Sequence, residues 1–370
     1  MTGSDGTLLE PSQLVPYLLN AGILEAADVV TGAVEIETIE RKNISYRVTA
    51  GPRAFILKRS RLADDPSVHH EAAAYAYLTA AVREIHDVVP EVLGFDAESC
   101  LLTLEYYSDA PNLRELYQRG RQVPLQLGRL LAHSLAMLHE SGLPGPASPL
   151  VATNPPWVLS LLEPTVEVYF YESRGVIDLI RRIQGAPLLA GMVAEFAESW
   201  STDSVCHGDL RLDNLVYVPR PPAGKQRLAI VDWELCGAGW SAWDLACLLA
   251  SFVELWVTGS GPRLPQHAAK EQLGRPGMSK HHGLLRAIWA EYHKGRLSQP
   301  SAAVSADRLC RLVGLRLLQS ALEYSQQSPG PTRESIMLLA LAQRLAERPL
   351  ESWVHILGLP VAEASGSISA

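Results

Sequence analysis

The chain has 370 residues, of which 47% are hydrophobic and 19% charged, so it can build a packed core and is not a disordered chain. Its 32 basic and 40 acidic side chains give a net charge of −8, which argues against a general nucleic-acid binder or an anionic-membrane binder. The five cysteines are scattered without a CxxC pair, a pattern typical of neither a disulfide framework nor a zinc cluster. No signal-peptide pattern or membrane-length apolar run is apparent, so we expect a cytoplasmic protein.

The first hundred residues predict a small α+β unit. Apolar side chains at helical spacing predict one or two helices over 10–31. Runs rich in β-branched and aromatic residues predict five strands, at 34–38, 45–49, 53–58, 92–95 and 100–105. An Ala- and Tyr-rich helix over 66–82 separates the third strand from the fourth, which gives antiparallel strands with one inserted helix.

Beyond residue 112 the pattern is mostly helical. Apolar faces with a period of 3.6 predict seven helices, over 125–139, 175–184, 188–200, 242–257, 284–294, 305–326 and 333–348. Two short strands are predicted at 214–218 and 228–232, joined by a Pro-rich hairpin. The aperiodic stretch 259–283 is typical of a mobile functional loop or of local disorder. We therefore expect an α+β unit over 1–107, a mostly helical unit over 108–360, and a disordered tail over 361–370.

The chemistry is concentrated in VCHGDLRLDN (205–214) and IVDWE (230–234). Phosphoryl transfer needs a carboxylate that orients the attacking hydroxyl, and hard oxygen ligands for Mg²⁺. Asp209 and Asn214, with four residues between them, meet part of this need, and Asp232 at the end of a strand supplies a second metal ligand. This order is typical of a kinase catalytic loop and of the metal-binding aspartate that follows it.

The three segments HGDLRLDN, VDWE and WDLA resemble the aminoglycoside phosphotransferase and choline-kinase-like superfamily, over roughly residues 30–345. The resemblance implies a bilobal, protein-kinase-like α+β fold that binds ATP and Mg²⁺. Its small antiparallel-sheet N-lobe (1–107) would bind the nucleotide, and its mostly helical C-lobe (108–360) would carry the catalytic residues and the acceptor site. It further implies that Asp209 is the catalytic base and that Asn214 and Asp232 are the metal ligands. His207 corresponds to the structural histidine of the catalytic motif, and Asp244 to the buried aspartate that braces it.

Lys58 ends the apolar strand 54–58, at the position where this fold holds the lysine that contacts the α- and β-phosphates. Glu71, in the helix that follows, is its natural ion-pair partner, and Glu84 is one of several nearby acids that could compete for it.

Two further segments are expected to contact the nucleotide. The stretch RKNIS (41–45) contains no glycine, so backbone groups together with Asn43 or Ser45 would hold phosphate in place of a Gly-rich loop. The strand 101–104 leads into the interlobe hinge, where backbone groups of Glu105 and Tyr107 would face the adenine edge. The adjacent histidine pairs at 69–70 and 281–282 lack partners at metal-ligand spacing and are expected to be solvated.

The acceptor is addressed by charge and by a narrower resemblance. Basic side chains in 259–296 suit an acidic peptide or a phosphorylated product better than a polycation. The segments PPWVLSL (155–161), 179–184 and VDWELCGAGWSAWDLA with FVELW resemble the stand-alone kinase of class V lanthipeptide biosynthesis. This resemblance implies phosphorylation of Ser and Thr side chains in a ribosomally made precursor peptide. A separate lyase or cyclase protein, which eliminates the phosphate to leave dehydroamino acids, is then the expected partner.

Two other functions stay open. One is a small-molecule kinase for an aminoglycoside, a macrolide, choline or a sugar. The other is a pseudokinase that binds a peptide, which is favoured only by the glycine-less phosphate loop. The presence of Lys58, Asp209, Asn214 and Asp232 argues against the pseudokinase, because degraded kinases usually lose at least one of these side chains.

Overall fold

A computed structural model describes residues 11–40, 44–60, 65–152, 155–219, 227–259, 277–296 and 304–361. The chain forms two compact units, Met1–Pro111 with Val216–Cys236, and Asn112–Leu215 with Gly237–Ala370. The boundary expected at 107/108 lies close to the first division, but the segment 216–236 belongs to the first unit. The reason is that this segment forms a two-stranded sheet whose second strand packs on the 3-10 helix Arg83–Val88.

The first unit is built on a five-stranded antiparallel sheet in the order β1-β2-β3-β5-β4. Its strands are β1 (Val34–Glu40), β2 (Ile44–Ala50), β3 (Arg53–Arg59), β4 (Val92–Asp96) and β5 (Leu101–Glu105). Helices Pro11–Asn20, Ala26–Val30 and Ser67–Ala81 belong to this unit, as does the small sheet of β7 (Leu215–Val218) with β8 (Arg227–Ile230). The predicted antiparallel sheet with one inserted helix is confirmed.

Alternation along β2 and β3 gives the sheet two different faces. The face that carries Tyr46, Val48 and Leu57 packs against the first helix in one buried cluster with Leu14 and Leu18. The intervening positions face the other way, and they include Ser45 and Lys58. The hydrophobic pattern that fixes the sheet register therefore also decides which face carries the polar groups.

The second unit is mainly helical. Its helices are Leu113–Gln118, Leu125–Glu140, Val166–Tyr171, Arg174–Gln184, Pro187–Glu198, Ser241–Thr258, Ser279–Gly295, Ala306–Glu323, Arg333–Glu347 and Pro349–His355. The only strands it has in the described part of the chain are β6 (Ser204–Cys206) and β9 (Gly237–Gly239), which pair antiparallel. β9 has the sequence GAG, which carries no β-propensity, and it forms through its pairing with β6.

Helix Ser241–Thr258 forms the centre of the second unit, and all of its residues from Ser241 to Val257 are buried. It is long and apolar enough to cross a membrane, so the expectation that no segment approaches that length is wrong. Because 94% of it is buried inside the protein, it is a core helix.

Helix Ser279–Gly295 begins inside the stretch that was expected to be an aperiodic loop, so that prediction is wrong for its last residues. His281, Leu284, Leu285 and Ile288 are spaced so that they fall on one buried helix face. The rest of the expected loop (260–276), Asn43, the tip of the Pro-rich hairpin and the tail after residue 361 lie outside the described residues.

Candidate active site

Lys58, Glu71 and Asp232 form an ion-pair cluster within the first unit. Lys58 Nζ lies 2.8 and 3.0 Å from the two carboxylate oxygens of Glu71, and 2.8 Å from Oδ1 of Asp232. The Glu71 side chain is fully buried, and Lys58 is only 14% exposed. The predicted Lys58–Glu71 ion pair is therefore present, and the side chain of Glu84 lies outside the described residues.

The opposite charges in this cluster stabilise each other by Coulombic attraction. Burial would lower the pKa of Lys58, but attraction to Glu71 and Asp232 raises it above its usual value, so the ammonium stays charged. Burial raises the pKa of Glu71, and the attraction of Lys58 opposes that rise. Tyr75 lies one helical turn after Glu71, and burial raises the pKa of its hydroxyl well above the usual value. The cluster thus presents a fixed cation beside a carboxylate.

Asp232 follows β8 in a left-handed conformation, with φ of +69°. This conformation costs a non-glycine residue on the order of 1 kcal/mol or more and persists where the surroundings impose it, often at functional sites. Nearby, Trp233 Nε1 donates to Ile230 O at 2.9 Å. The side chain of Asp232 is 42% exposed, so solvent reaches its carboxylate even while Oδ1 accepts from Lys58. An accessible carboxylate oxygen is a suitable ligand for Mg²⁺.

Two of the segments expected to contact nucleotide are partly described. Ser45 pairs with Lys58 across β2 and β3, which places both side chains on one face of the sheet. The backbone N–H of Glu105 donates to Glu91 O at 2.9 Å, so it does not meet an adenine edge. For Glu105, the predicted adenine contact is therefore restricted to its backbone carbonyl group. The Glu105 carboxylate accepts from Tyr107 Oη at 2.8 Å and from Arg227 at 3.0 Å. Adenine contacts by the Tyr107 backbone stay a prediction.

In the second unit, Asp244 shapes the loop that carries the catalytic motif. Its carboxylate accepts from the amides of His207 at 2.7 Å and Gly208 at 2.9 Å, and it lies 3.2 Å from His139 Nε2. Burial alone would raise the pKa of Asp244. The hydrogen bond with His139 and the attraction of His139 and His207 instead hold this pKa below its usual value. His139 Nδ1 in turn lies 2.8 Å from the Tyr292 hydroxyl. The structure thus contains the contacts expected of a bracing aspartate.

The cluster of His139, Cys206 and Asp244 has the residue types of a metal site, with ligand atoms within 4.8 Å of one another. All three residues are buried, and the carboxylate of Asp244 is already engaged by two amides and a histidine. We therefore interpret this cluster as structural.

Asp209 lies at the centre of a charged network. Its Oδ1 is 3.3 Å from Arg316 Nη2, and its Oδ2 is 3.1 Å from Arg211 Nε. The side-chain nitrogen of Asn214 donates to the carbonyl oxygen of Asp209 at 2.9 Å. Because the nitrogen of the side-chain amide is directed at Asp209, its oxygen Oδ1 is directed elsewhere. Oδ1 is the atom that would bind a metal ion.

Both arginines also reach Glu323. Arg211 Nη1 lies 3.2 Å from Oε2 of Glu323, and Arg316 Nη1 lies 3.4 Å from Oε1. A third arginine, Arg114, pairs with Asp213 of this loop at 2.8 Å and with Glu254 of helix Ser241–Thr258 at 2.9 Å. In this network each carboxylate contacts at least one guanidinium.

Arg316, Glu323 and Arg114 were missed by the sequence analysis. One signal could have indicated Arg316, namely an arginine on the apolar face of a helix, in the run RLVGLRLLQS. An arginine at such a position is rarely buried unless a carboxylate meets it. No equivalent signal marks Glu323 or Arg114.

The basic stretch and the histidine pairs differ from expectation. Arg286 Nε donates to Gly358 O at 2.7 Å, and Arg296 Nε pairs with Glu140 at 3.5 Å, so both are used in packing this unit. His281 is 2% exposed, and burial lowers its pKa to about 4, which corrects the expectation of a solvated side chain. The described part of the stretch thus offers less free positive charge than its composition suggests.

The chain resembles known proteins in sequence and in fold. A model of the phosphotransferase enzyme family matches residues 35–284. A microcompartment-associated aminopropanol kinase is 19% identical, with 90% of this chain and 98% of that chain covered and a TM-score of 0.54. A putative aminoglycoside phosphotransferase from Ralstonia eutropha is 15% identical, with 94% and 98% covered and a TM-score of 0.52. These likenesses show the protein-kinase-like α+β fold. A comparison with curated protein sequences gives no match.

Proposed function

This chain belongs to the phosphotransferase enzyme family and transfers a phosphoryl group to a hydroxyl acceptor, and we propose that the donor is MgATP and the acceptor a Ser or Thr side chain of a ribosomally made precursor peptide. In this proposal it is a cytoplasmic, stand-alone kinase of the class V lanthipeptide type. A separate lyase or cyclase protein completes the modification.

The nucleotide is held by charge in this proposal. The Lys58 ammonium, fixed by the buried Glu71, binds the α- and β-phosphates, and Ser45 on the same face of the sheet donates to a phosphate oxygen. Asn214 and Asp232 are the proposed Mg²⁺ ligands, because both offer the hard oxygen atoms that this ion prefers. Mg²⁺ held by these residues would neutralise the charge of the triphosphate as the γ-phosphoryl group departs.

Asp209 acts on the acceptor. Its carboxylate accepts a hydrogen bond from the acceptor hydroxyl, which orients a lone pair of that oxygen towards the γ-phosphorus. The new O–P bond forms while the bond between the γ-phosphorus and the leaving oxygen of ADP breaks, and the hydroxyl proton passes to Asp209. His207 keeps the loop in shape, since its Nδ1 accepts from the Asp209 amide at 3.2 Å.

The observation that carries the acceptor class is the pairing of charges around Asp209. Polycationic aminoglycosides require acidic side chains whose charge is available. In the described part of the second unit, the acids around the loop are instead matched by arginines, Glu323 by Arg211 and Arg316, and Asp213 and Glu254 by Arg114. This balance favours an acceptor without a large positive charge, such as a Ser- or Thr-containing peptide.

The chemistry of the product supports a partner enzyme. Hydroxide is a poor leaving group, whereas a phosphate ester leaves readily when a base removes the neighbouring Cα proton. A kinase that phosphorylates Ser and Thr therefore prepares substrate for an elimination reaction, and a lyase on another polypeptide would carry out that step.

The test is mass spectrometry of acceptors incubated with the protein and MgATP. The panel contains Ser/Thr-rich precursor peptides encoded near the gene, aminoglycosides, a macrolide and choline, each with and without co-purified partners. We expect an 80 Da phosphoryl adduct on peptide, lost in Asp209→Asn, while this variant still binds ATP in calorimetry. Asp178→Asn, which removes a partly exposed carboxylate elsewhere in the second unit, is the matched control and should keep full activity.

The other outcomes assign the protein differently. An adduct only on a small molecule would make it a small-molecule kinase and remove the peptide proposal. ATP binding without any adduct would indicate a pseudokinase. An adduct that persists in Asp209→Asn would show that Asp209 does not act on the acceptor.

A further inference from the structure

Arg316 is a buried cation in a position that helix packing does not explain. It lies on the helix Ala306–Glu323, and its side chain is only 2% exposed. Burial would lower its pKa, but Glu323 and Asp209 attract the guanidinium strongly enough to raise the pKa above its usual value. A buried cation is tolerated only where carboxylates and hydrogen bonds meet it, so its partners explain its presence.

Its own helix and two carboxylates fix the guanidinium. Nη1 donates to Ser320 Oγ, one turn along the helix, at 2.7 Å. Nη2 donates to Asp209 Oδ1 at 3.3 Å and lies 3.5 Å from Oε2 of Glu323. Arg211, the other arginine beside Asp209, also reaches this helix through Glu323 at 3.2 Å, but its side chain is 30% exposed whereas that of Arg316 is 2% exposed. The two arginines therefore differ in freedom, and Arg316 is the rigid one.

We propose that Arg316 is a positioning residue for the phosphoryl transfer, which sets the orientation of the Asp209 carboxylate from inside the second unit. The proposal rests on the function assigned above to Asp209. In it, Arg316 holds Oδ1, and Oδ2, which lies 3.1 Å from Arg211 Nε, uses its remaining lone pair to accept from the acceptor hydroxyl. Ser320 keeps the guanidinium in place, and Glu323 balances its charge. Arg316 touches neither ATP nor acceptor in this role.

The physical need for such a residue is clear. A carboxylate on a loop can rotate about two side-chain bonds, and transfer is fast only when the hydroxyl is held within a fraction of an ångström of the attacking geometry. The guanidinium of Arg316 is a rigid plane in which Nη1 donates to Ser320 while Nη2 meets Asp209, so it fixes the direction of that contact as well as its charge. Lysine supplies charge alone. A conservative replacement by lysine therefore separates orientation from electrostatics.

The experiment compares Arg316→Lys, Ser320→Ala and Arg308→Lys. Arg308 lies on the same helix, hydrogen-bonds Ser199 at 2.7 Å and packs over Trp240, so its variant is the matched control. Turnover is followed as ADP release from MgATP, with the acceptor that the panel identifies and with water. We expect Arg316→Lys to lower kcat about 10- to 100-fold with KM for ATP changed less than about twofold. Ser320→Ala should lower kcat about threefold to tenfold, and Arg308→Lys should leave it unchanged.

A second variant adds a chemical-rescue readout and a structural readout that needs no acceptor. Arg316→Ala leaves a space that guanidinium chloride at millimolar concentration can enter, and we expect the ion to restore part of kcat in this variant alone. Its crystal structure should show the Asp209 carboxylate turned from its original place. Unchanged kcat in Arg316→Lys, or an unmoved Asp209 in Arg316→Ala, would overturn the proposal.

A failure of the proposed function gives a different result. If Asp209→Asn keeps its activity, the role of Asp209 is wrong, whatever Arg316 does. If Asp209→Asn is inactive while Arg316→Lys and Arg316→Ala behave as wild type, only the positioning role is lost. In the double variant Asp209→Asn with Arg316→Lys, no further loss of residual ADP release is expected, because Arg316 acts through Asp209. An additive loss would place Arg316 in another role.

Discussion

Replacing Lys58 with methionine should destabilise the first unit because it leaves Glu71 as an uncompensated buried charge. The two partners of Lys58 differ in this respect. Asp232 is 42% exposed, so water screens its charge when the ammonium is removed, whereas Glu71 has no exposed surface. The cost therefore falls mainly on Glu71. Breaking a buried pair by removing one partner costs about 3–5 kcal/mol, and we expect a loss in this range near pH 8.

The pH dependence of this loss has a definite sign. Burial already raises the pKa of Glu71, and removing Lys58 takes away the attraction that opposes that rise. The folded form of Lys58→Met thus holds a proton on Glu71 up to a higher pH than the unfolded chain, whose glutamate titrates near 4.3. Stability of the variant falls as pH rises from that value through the folded pKa. The deficit relative to wild type should be small near pH 5 and largest near pH 8.

The assay is urea unfolding followed by hydrogen exchange and mass spectrometry. Peptides that cover β3 and the helix Ser67–Ala81 give the free energy of unfolding of the first unit. The double variant Lys58→Met with Glu71→Gln should recover most of the loss, because no buried charge remains. Arg47→Met is the control, since Arg47 pairs with Glu37 at 39% and 58% exposure and should cost at most about 1 kcal/mol.

Two results would refute this reasoning. A loss below about 1 kcal/mol in Lys58→Met at pH 8 would mean that Glu71 is not electrostatically isolated when its partner is removed. A deficit that does not change between pH 5 and pH 8 would mean that it arises from packing and not from charge.

Two further predictions concern stability of the second unit. Asp244→Asn should cost about 2–4 kcal/mol at pH 7, because the amides of His207 and Gly208 lose a charged acceptor. Since the folded pKa of Asp244 is depressed, its contribution is lost as pH falls below about 4, and urea unfolding curves of wild type and variant should converge there. Gly358→Ala should lower the melting temperature by several degrees, because φ is +69° and the added Cβ would lie 2.2 Å from a His282 ring atom. An unchanged melting temperature would contradict that steric argument.

The features that could be predicted are those whose pattern lies within a short stretch of sequence. The five strands, the inserted helix and the loop around Asp209 follow from alternation and from motifs with short spacing. The pairing of Lys58 with Glu71 followed from a resemblance, because composition alone leaves other acids in competition. The network partner Arg316 lies 107 positions from Asp209, and no periodicity joins the two. Only packing brings such residues together, so the sequence offered no more than an arginine out of place on an apolar helix face.

The start of helix Ser279–Gly295 was missed for a different reason. Gly, Pro, His and basic residues dominate the composition of 259–283, which is typical of a loop. Only the first residues of the helix fall in this stretch, too few to show a helical pattern of apolar residues. Burial of His281 against the Tyr117 ring, with ring centroids 4.9 Å apart, adds a packing contact that propensity cannot anticipate.

The bracing of the catalytic loop by Asp244 determines when the entropy cost of ordering that loop arises. The groups that fix the loop, Asp244, Arg316 and Arg114, are supplied by helices of the same unit. Ordering these backbone and side-chain rotations costs about 1–2 kcal/mol per residue, and this cost is met once, when the unit folds. It is not repeated at each turnover. An incoming acceptor therefore meets a loop already in its working shape, and differences in rate between acceptors should reflect how each one binds.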